Sequence, residues 1–89
     1  MVEEKITVTS ALGIHLRPAG AMCDAAVKYE SHIYFDYGSG KRANAKSVIS
    51  ILASGIKCGE EIVLVAEGVD EVEAVKEVAK AFRASLIDD

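Results

Sequence analysis

The spacing of apolar residues predicts four β-strands in this chain. Polar and apolar positions alternate in residues 5–9 and 32–37, as they do in strands that bury one face, and residues 41–45 are predicted as a further short strand. Residues 60–66 instead contain an unbroken apolar run, which is typical of a strand buried on both faces. A turn at residues 38–40, Gly-Ser-Gly, joins the second and third strands into a predicted hairpin. The fourth strand is the predicted centre of the sheet.

Two further segments have the apolar spacing and the end residues of helices. The first helix is predicted from about Leu16, with Pro18 in its first turn, where a missing N–H group removes no helical hydrogen bond. Its apolar residues are Ala19, Met22, Ala26 and Tyr29. The second is a short helix over residues 48–54, because Ser47 is a residue type that caps helices and Gly55 is one that ends them.

A third helix is predicted after Asp70, which with Glu73 makes a capping-box-like start. Its apolar stripe consists of Val72, Val75, Ala79, Phe82 and Leu86. The resulting order, β-α-β-β-α-β-α, predicts an α+β fold in which three helices cover one face of a four-stranded, largely antiparallel sheet and the other face meets water. Residues 1–89 are too few for two cores, so we expect a single domain.

The composition and charge exclude several classes of function. The chain is 51% hydrophobic and 27% charged, as an ordinary globular protein is. Its formal net charge of -4 provides no general attraction to nucleic acid or to an anionic membrane surface. The N-terminal residues lack the basic and apolar stretches of a secretion signal, and no apolar run is long enough to span a bilayer. We therefore expect a cytoplasmic protein without nucleic-acid or membrane partners.

The two cysteines, Cys23 and Cys58, show no spacing typical of a metal or redox site. They stand far apart in the chain, without a CxxC pair and without a histidine at metal-ligand spacing. We expect two free thiols, buried or half-buried, in a reducing compartment. No metal and no cofactor are predicted.

The candidate chemistry lies in residues 13–19, which read Gly-Ile-His-Leu-Arg-Pro-Ala. His15 stands at the entry of the first predicted helix, where exposed backbone N–H groups and the positive end of the helix dipole favour an anion such as phosphate. A neutral imidazole nitrogen is a nucleophile near neutral pH, and Arg17 can donate charge-assisted hydrogen bonds to phosphoryl oxygens. The residues alone also allow His15 to be a simple helix cap and Arg17 to be a solvated surface residue.

The same seven residues closely resemble the active-site signature of the HPr family, the phosphocarriers of the bacterial phosphoenolpyruvate-dependent sugar phosphotransferase system. The resemblance continues through residues 45–49, 55–56 and 59–62 and covers essentially the whole chain. It implies the HPr-like open-faced β-sandwich and a carrier that is modified covalently rather than an enzyme. It further implies that His15 accepts a phosphoryl group on Nδ1 from phosphorylated enzyme I and passes it to a IIA domain of a sugar permease, while Arg17 stabilises the phosphoryl group.

The short second helix corresponds to the regulatory region of the family. The resemblance implies that Ser47 is a substrate of an ATP-dependent HPr kinase/phosphorylase. We hypothesise that negative charge on Ser47 weakens the docking of enzyme I, because Val48, Ile49 and Leu52 would form an apolar contact patch beside it. Six of the nine residues from 48 to 56 are apolar, more than one face of a short helix requires, so part of this patch is expected to be exposed.

Two positions near His15 depart from the family pattern. Leu16 stands where alanine is common, and Gly20 replaces a residue that is often larger. Both are expected to affect the choice of partner, while the histidine and arginine that the carrier needs are present.

Other functions use the same residues differently. A nitrogen-regulatory or dihydroxyacetone-linked phosphorelay would use His15 with other partners. A regulatory binding protein would act through phosphorylated Ser47 on a transcription factor or a metabolic enzyme. His32 is expected to be a solvated strand residue rather than a second carrier site, and a monomer is the expected state of a carrier that exposes one site to successive partners.

Overall fold

The computed structural model describes residues 1–87 and contains the seven predicted elements in the predicted order. The strands and helices are β1 (Val2–Thr7), α1 (Leu16–Ala26), β2 (His32–Tyr37), β3 (Lys41–Asn44), α2 (Val48–Ala53), β4 (Glu61–Glu67) and α3 (Glu71–Ile87).

The four strands form one antiparallel sheet in the order β1-β4-β2-β3. β4 lies between β1 and β2, pairing Ile6 with Ile62 on one side and Phe35 with Leu64 on the other. The prediction of a central fourth strand is therefore confirmed, as is the hairpin of β2 and β3. The apolar run of β4 is explained by burial on both faces, because Leu64 lies in the core layer and Val65, which points to the other face, is buried as well.

The core lies between one face of the sheet and the helices. The large side chains that are fully buried there include Phe35 from β2, Leu64 from β4, Met22 from α1 and Phe82 from α3. Alternate residues of each strand point to this layer, and the helices present apolar stripes to it, as the binary pattern requires. The predicted α+β architecture is thus confirmed.

The other face of the sheet has no helix over it within residues 1–87, yet it buries Tyr34. The guanidinium of Arg42 lies 3.8 Å from the centre of the Tyr34 ring, and the Tyr34 hydroxyl donates a hydrogen bond of 2.9 Å to Glu67 Oε1. Long polar side chains can cover an aromatic ring in this way because their stems are apolar. The exposed strand residue His32 packs edge-on against the same ring, 5.1 Å away.

The boundaries of the elements differ most from the predictions in β1 and α1, and those of β3, α2 and β4 differ by one residue. β1 begins at Val2, because residues 2–4 pair with the far end of β4, and it ends at Thr7. Val8 nevertheless remains buried and exchanges backbone hydrogen bonds with Gly59 and Glu60. α1 ends at Ala26, so Tyr29 belongs to the turn after the helix.

The prediction that Val72 belongs to the buried stripe of α3 is wrong. Val72 is 68% exposed, whereas the buried residues of this helix are Ala74, Val75, Val78, Ala79, Phe82, Ser85 and Leu86. A helix advances about 100° per residue, and the centre of the buried arc runs between Val78 and Phe82, which leaves Val72 about 90° away from it. The smaller residues Ala74 and Ser85, on the opposite side of the arc from Val72, are buried instead.

Candidate functional site

His15 is the N-cap residue of α1. Its backbone is extended, with φ -110° and ψ -169°, and its carbonyl oxygen accepts the Ala19 N–H at 3.0 Å. His15 therefore stands at the N-cap position through its backbone, and within residues 1–87 no side-chain hydrogen bond caps this helix. The half-buried His15 side chain stands where the first-turn N–H groups and the helix dipole favour an anion.

The loop before His15 is held by the segment that follows α2. The Ile14 N–H donates to the Ile56 carbonyl oxygen at 3.0 Å, and the Gly13 N–H donates to the Ser10 carbonyl oxygen at 3.0 Å. Gly13 has a φ of 71°, and a Cβ atom placed on it would lie 2.3 Å from the Ile56 oxygen. Residue 13 therefore requires glycine, both for its backbone conformation and for the close approach of the backbone at Ile56.

The residues in the first turn of α1 are of two kinds, some buried in the core and others exposed to solvent. Pro18 and Ala19 are buried, while Leu16 is 69% exposed and Arg17 is exposed. The helix therefore presents an apolar and a cationic side chain directly after His15. Arg17 has the charge and the donor geometry to bind phosphoryl oxygens at this helix end.

Ser47 is the N-cap residue of α2, as predicted. Its backbone is extended, and its Oγ accepts the Ser50 N–H at 3.2 Å. The neighbouring Lys46 donates from Nζ to the Tyr29 carbonyl oxygen at 2.6 Å, which joins the start of α2 to the turn after α1. Ser47 and the Ile56 contact lie at opposite ends of α2, about 10 Å apart along the helix axis.

The patch predicted on α2 is exposed in part. Ile49 is 82% exposed and Leu52 is 38% exposed, whereas Val48 is half-buried and packs against the core. Gly20 on α1 is half-buried, with open space where a Cβ would be. Because α1 packs against α2, the exposed residues of the two helices lie on neighbouring elements.

One exposed apolar residue beside the site was missed by the sequence reasoning. Leu12 lies in the turn before Gly13 and is 71% exposed. A leucine in a turn, where polar and small residues are usual, was the available signal. Together with Leu16 it flanks His15 with apolar side chains in the sequence.

The two cysteines differ in their surroundings. Both thiols are free, and Cys23 is half-buried in α1, as expected. Cys58 is exposed in the turn before β4, with its Sγ 3.8 Å from the Thr9 carbonyl oxygen, so the expectation that both thiols are buried or half-buried is wrong for Cys58. Among the described residues no cluster of His, Cys, Asp or Glu is arranged to hold a metal ion.

No helix in residues 1–87 has the length and apolar character that crossing a bilayer would take.

Comparison with known proteins finds the same pattern across nearly the whole chain. The family model for the phosphorylation site of the PTS HPr component matches residues 2–84. The chain is 36% identical to the phosphocarrier protein HPr of Treponema pallidum over 93% of each chain. A crystal structure of HPr from Thermoanaerobacter tengcongensis superposes with a TM-score of 0.88 at 32% identity, covering 100% of this chain and 99% of that one.

A third relative is the catabolite repression protein Crh of Bacillus subtilis, whose crystal structure is described as a dimer with a swapped domain. It superposes with a TM-score of 0.73 at 30% identity, covering 97% of this chain and 98% of that one. Sequence and fold therefore agree over the same residues, and this chain belongs to the HPr family of the phosphotransferase system, whose members are phosphocarriers and not enzymes.

Proposed function

We propose that this protein accepts a phosphoryl group on Nδ1 of His15 from phosphorylated enzyme I and transfers it to IIA domains of sugar permeases. In each step the bond from phosphorus to the donor atom breaks as a new bond to the acceptor atom forms, and the donor leaves with the electron pair of the broken bond. No water is consumed, so the phosphoryl group is conserved. The reaction partners imply a cytoplasmic location.

The observation that carries this proposal is the position of His15 at the N-terminus of α1 in a chain of the HPr family. Phosphoryl transfer asks the protein mainly for positioning and for neutralisation of charge. The Gly13–Ile56 contact positions the loop, and Arg17 with the helix dipole provides positive charge. The exposed Leu16 then offers an apolar contact to the partner.

The test is incubation with phosphoenolpyruvate and enzyme I, followed by measurement of the protein mass. We expect the mass of one phosphate, labile in acid, on the wild-type protein and none on His15→Ala. His32→Ala is the matched control, because His32 is the second histidine and is expected to leave the modification unchanged. An acid-labile phosphate on His15→Ala would refute the proposal.

The role of Arg17 is tested in the same assay. Arg17→Lys keeps the charge but loses the planar donor group, and Arg17→Gln loses both. We expect the rate of transfer to fall in Arg17→Lys and to fall further in Arg17→Gln, and the urea midpoint of each variant separates a loss of stability from a loss of transfer. Equal rates in all three proteins would show that Arg17 does not contact the phosphoryl group.

Phosphorylation of Ser47 by an ATP-dependent HPr kinase/phosphorylase is the proposed regulation. The Ser47 hydroxyl lies at the N-terminus of α2, where added phosphate is favoured by the helix dipole and need not disturb the fold. Its charge would lie beside Ile49 and Leu52, which we propose as contacts of enzyme I together with Leu16, Gly20 and Val48.

Ser47→Asp distinguishes a docking effect from a change at His15. We expect this variant to raise the KM for phosphorylated enzyme I, while the rate at which the small donor phosphoramidate modifies His15 stays at the wild-type value. Ser47→Asn is the control of similar size without charge. If Ser47→Asp reacts with enzyme I as fast as the wild type does, the regulatory role is lost.

Two other functions would use the same residues, and each can be distinguished from the proposed one by experiment. A nitrogen-regulatory or dihydroxyacetone-linked relay would show itself by faster transfer from phospho-His15 to the acceptor of that pathway than to sugar-specific IIA domains. A regulatory binder would act through phospho-Ser47 even in His15→Ala. A monomer is proposed as the working state, and sedimentation of the phosphorylated and unphosphorylated protein tests it against the swapped dimer described for Crh.

A further inference from the structure

Lys57 lies directly after the segment that touches the loop before His15. A Cβ atom on Gly13 would lie 2.9 Å from the Lys57 Cα, and the preceding residue, Ile56, accepts the hydrogen bond from the Ile14 N–H. The two backbones meet without a side chain between them, because Gly13 has none. The fold therefore places the backbone of Lys57 against a residue only two positions from His15.

The lysine side chain is long enough to reach a phosphoryl group on His15. Consecutive Cα atoms are about 3.8 Å apart, so the Cα atoms of Gly13 and His15 are separated by at most about 7 Å, and an extended lysine spans about 6 Å from Cα to Nζ. The side chain of Lys57 is exposed, and within residues 1–87 no ion pair holds its ammonium group.

The backbone of Lys57 is fixed although its side chain is exposed. Its N–H donates to Glu60 Oε1 at 2.7 Å, and the Glu60 N–H donates to the Lys57 carbonyl oxygen at 3.1 Å. These bonds close the turn between α2 and β4. The Glu60 carboxylate therefore has a backbone partner of its own, and the ammonium group starts from a rigid base.

We propose that Lys57 is a second cationic residue of the phosphoryl site, whose ammonium group stabilises the phosphorylated form of His15 together with Arg17. This inference rests on the proposed function and adds a residue that lies outside the seven-residue motif. A phosphoryl group brings about -1.5 to -2 charge to the end of α1. A single ammonium group about 8 Å away, in surroundings as polar as water, changes the proton affinity of that group by a factor of about 2.5.

The experiment uses phosphoramidate to modify His15 without enzyme I and follows the phosphoryl group by phosphorus NMR as the pH is varied. The signal is assigned to His15 by its absence in His15→Ala. A nearby positive charge favours the deprotonated phosphoryl group, so its loss in Lys57→Gln raises the titration midpoint by about 0.4 pH unit. Lys57→Glu raises it about twice as far, and Lys57→Arg restores the wild-type midpoint.

The matched control is Lys28→Gln, because Lys28 is an exposed lysine beyond the opposite end of α1, more than about 15 Å from His15. We expect its midpoint to equal that of the wild type. The Lys57→Gln difference should shrink in about 1 M NaCl, where charges are screened beyond about 3 Å. Equal midpoints in Lys57→Gln and Lys28→Gln would overturn the inference, and so would a difference that high salt leaves unchanged.

The proposed function is tested separately, by measuring phosphoryl transfer from enzyme I to the wild-type protein. If enzyme I fails to modify the wild type, the pathway assignment is wrong whatever the NMR midpoints are. If transfer occurs and the midpoints do not move, only the role of Lys57 is wrong.

Discussion

Replacement of Gly13 by alanine tests how the structure holds His15 in place. The new Cβ would lie 2.3 Å from the Ile56 oxygen, so the backbone segments at residues 13 and 56 must move apart. A φ of 71° costs a residue with a side chain about 1–2 kcal/mol, overpacking costs about 1–3 kcal/mol, and a weakened Ile14–Ile56 hydrogen bond costs about 1 kcal/mol. We expect Gly13→Ala to lower the free energy of unfolding by about 4 kcal/mol.

Two other glycines separate these contributions. Gly55 has a φ of 64° with open space around a Cβ, so Gly55→Ala should lose only the backbone contribution of about 1–2 kcal/mol. Gly20 lies inside α1 with open space around a Cβ, so Gly20→Ala should gain about 0.5–1 kcal/mol from helix propensity.

Urea unfolding followed by circular dichroism measures all three variants. With a slope of about 1 kcal/mol per molar urea for a domain of this size, Gly13→Ala should lower the midpoint by several molar. If Gly13→Ala loses no more stability than Gly55→Ala, the close contact with Ile56 contributes nothing and the loop is held in another way.

Three further changes probe the capping, the charge and the core. Ser47→Ala removes the acceptor for the Ser50 N–H and should cost about 1 kcal/mol in urea unfolding. The Ser31 hydroxyl, followed by the Glu30 N–H, holds the pKa of Asp70 below its ordinary value of 3.8, so stability from Asp70 is present above that value and is lost as the pH falls through the lower, folded-state pKa. Asp70→Asn should therefore flatten the acid limb of a plot of urea midpoint against pH, and an unchanged limb would contradict this. Phe35→Ala empties a fully buried position and should lower the free energy of unfolding by about 3–5 kcal/mol in the same assay.

The order and type of the elements could be predicted because each one carries its own periodicity. The alternation in β2 and the capping residues of α2 are local sequence patterns, and both elements form in the structure where these patterns predict them. The start of β1 could not be predicted in this way. Glu3 and Glu4 look like a solvated terminus, and only pairing with Val65 and Leu64 makes them part of a strand.

The candidate site was predictable only where its chemistry is contiguous in sequence. His15 and Arg17 stand two residues apart at a helix start, so the pattern makes them candidates for an anion site, and the resemblance to the HPr family favours that interpretation over a simple cap. The contact of Gly13 with Ile56 and the approach of Lys57 are tertiary features. Their residues are far apart in sequence, and no spacing rule relates them.

Val72 shows what the apolar periodicity of a helix cannot predict. Its spacing to Val75 fits a helical stripe, but a stripe has a width, and the sheet determines where its centre lies. Seven residues of α3 already fill the layer over the sheet, so Val72 at the rim stays in water. Periodicity therefore predicts which residues share a side of the helix and leaves open which of them are covered.

The short helix α2 relates the two proposed phosphorylation sites to each other. Its N-terminus is closed by Ser47 and its C-terminal extension holds the His15 loop through Ile56, while Ile51 between them is fully buried. A helix anchored in this way at its middle and at both ends has little freedom to transmit a displacement. Charge on Ser47 would act about 10 Å from the far end of α2, which is beyond the Debye length of about 8 Å at physiological salt, so it is largely screened there. An effect of Ser47 on transfer is therefore expected through the exposed docking residues Ile49 and Leu52, and not through the geometry of His15.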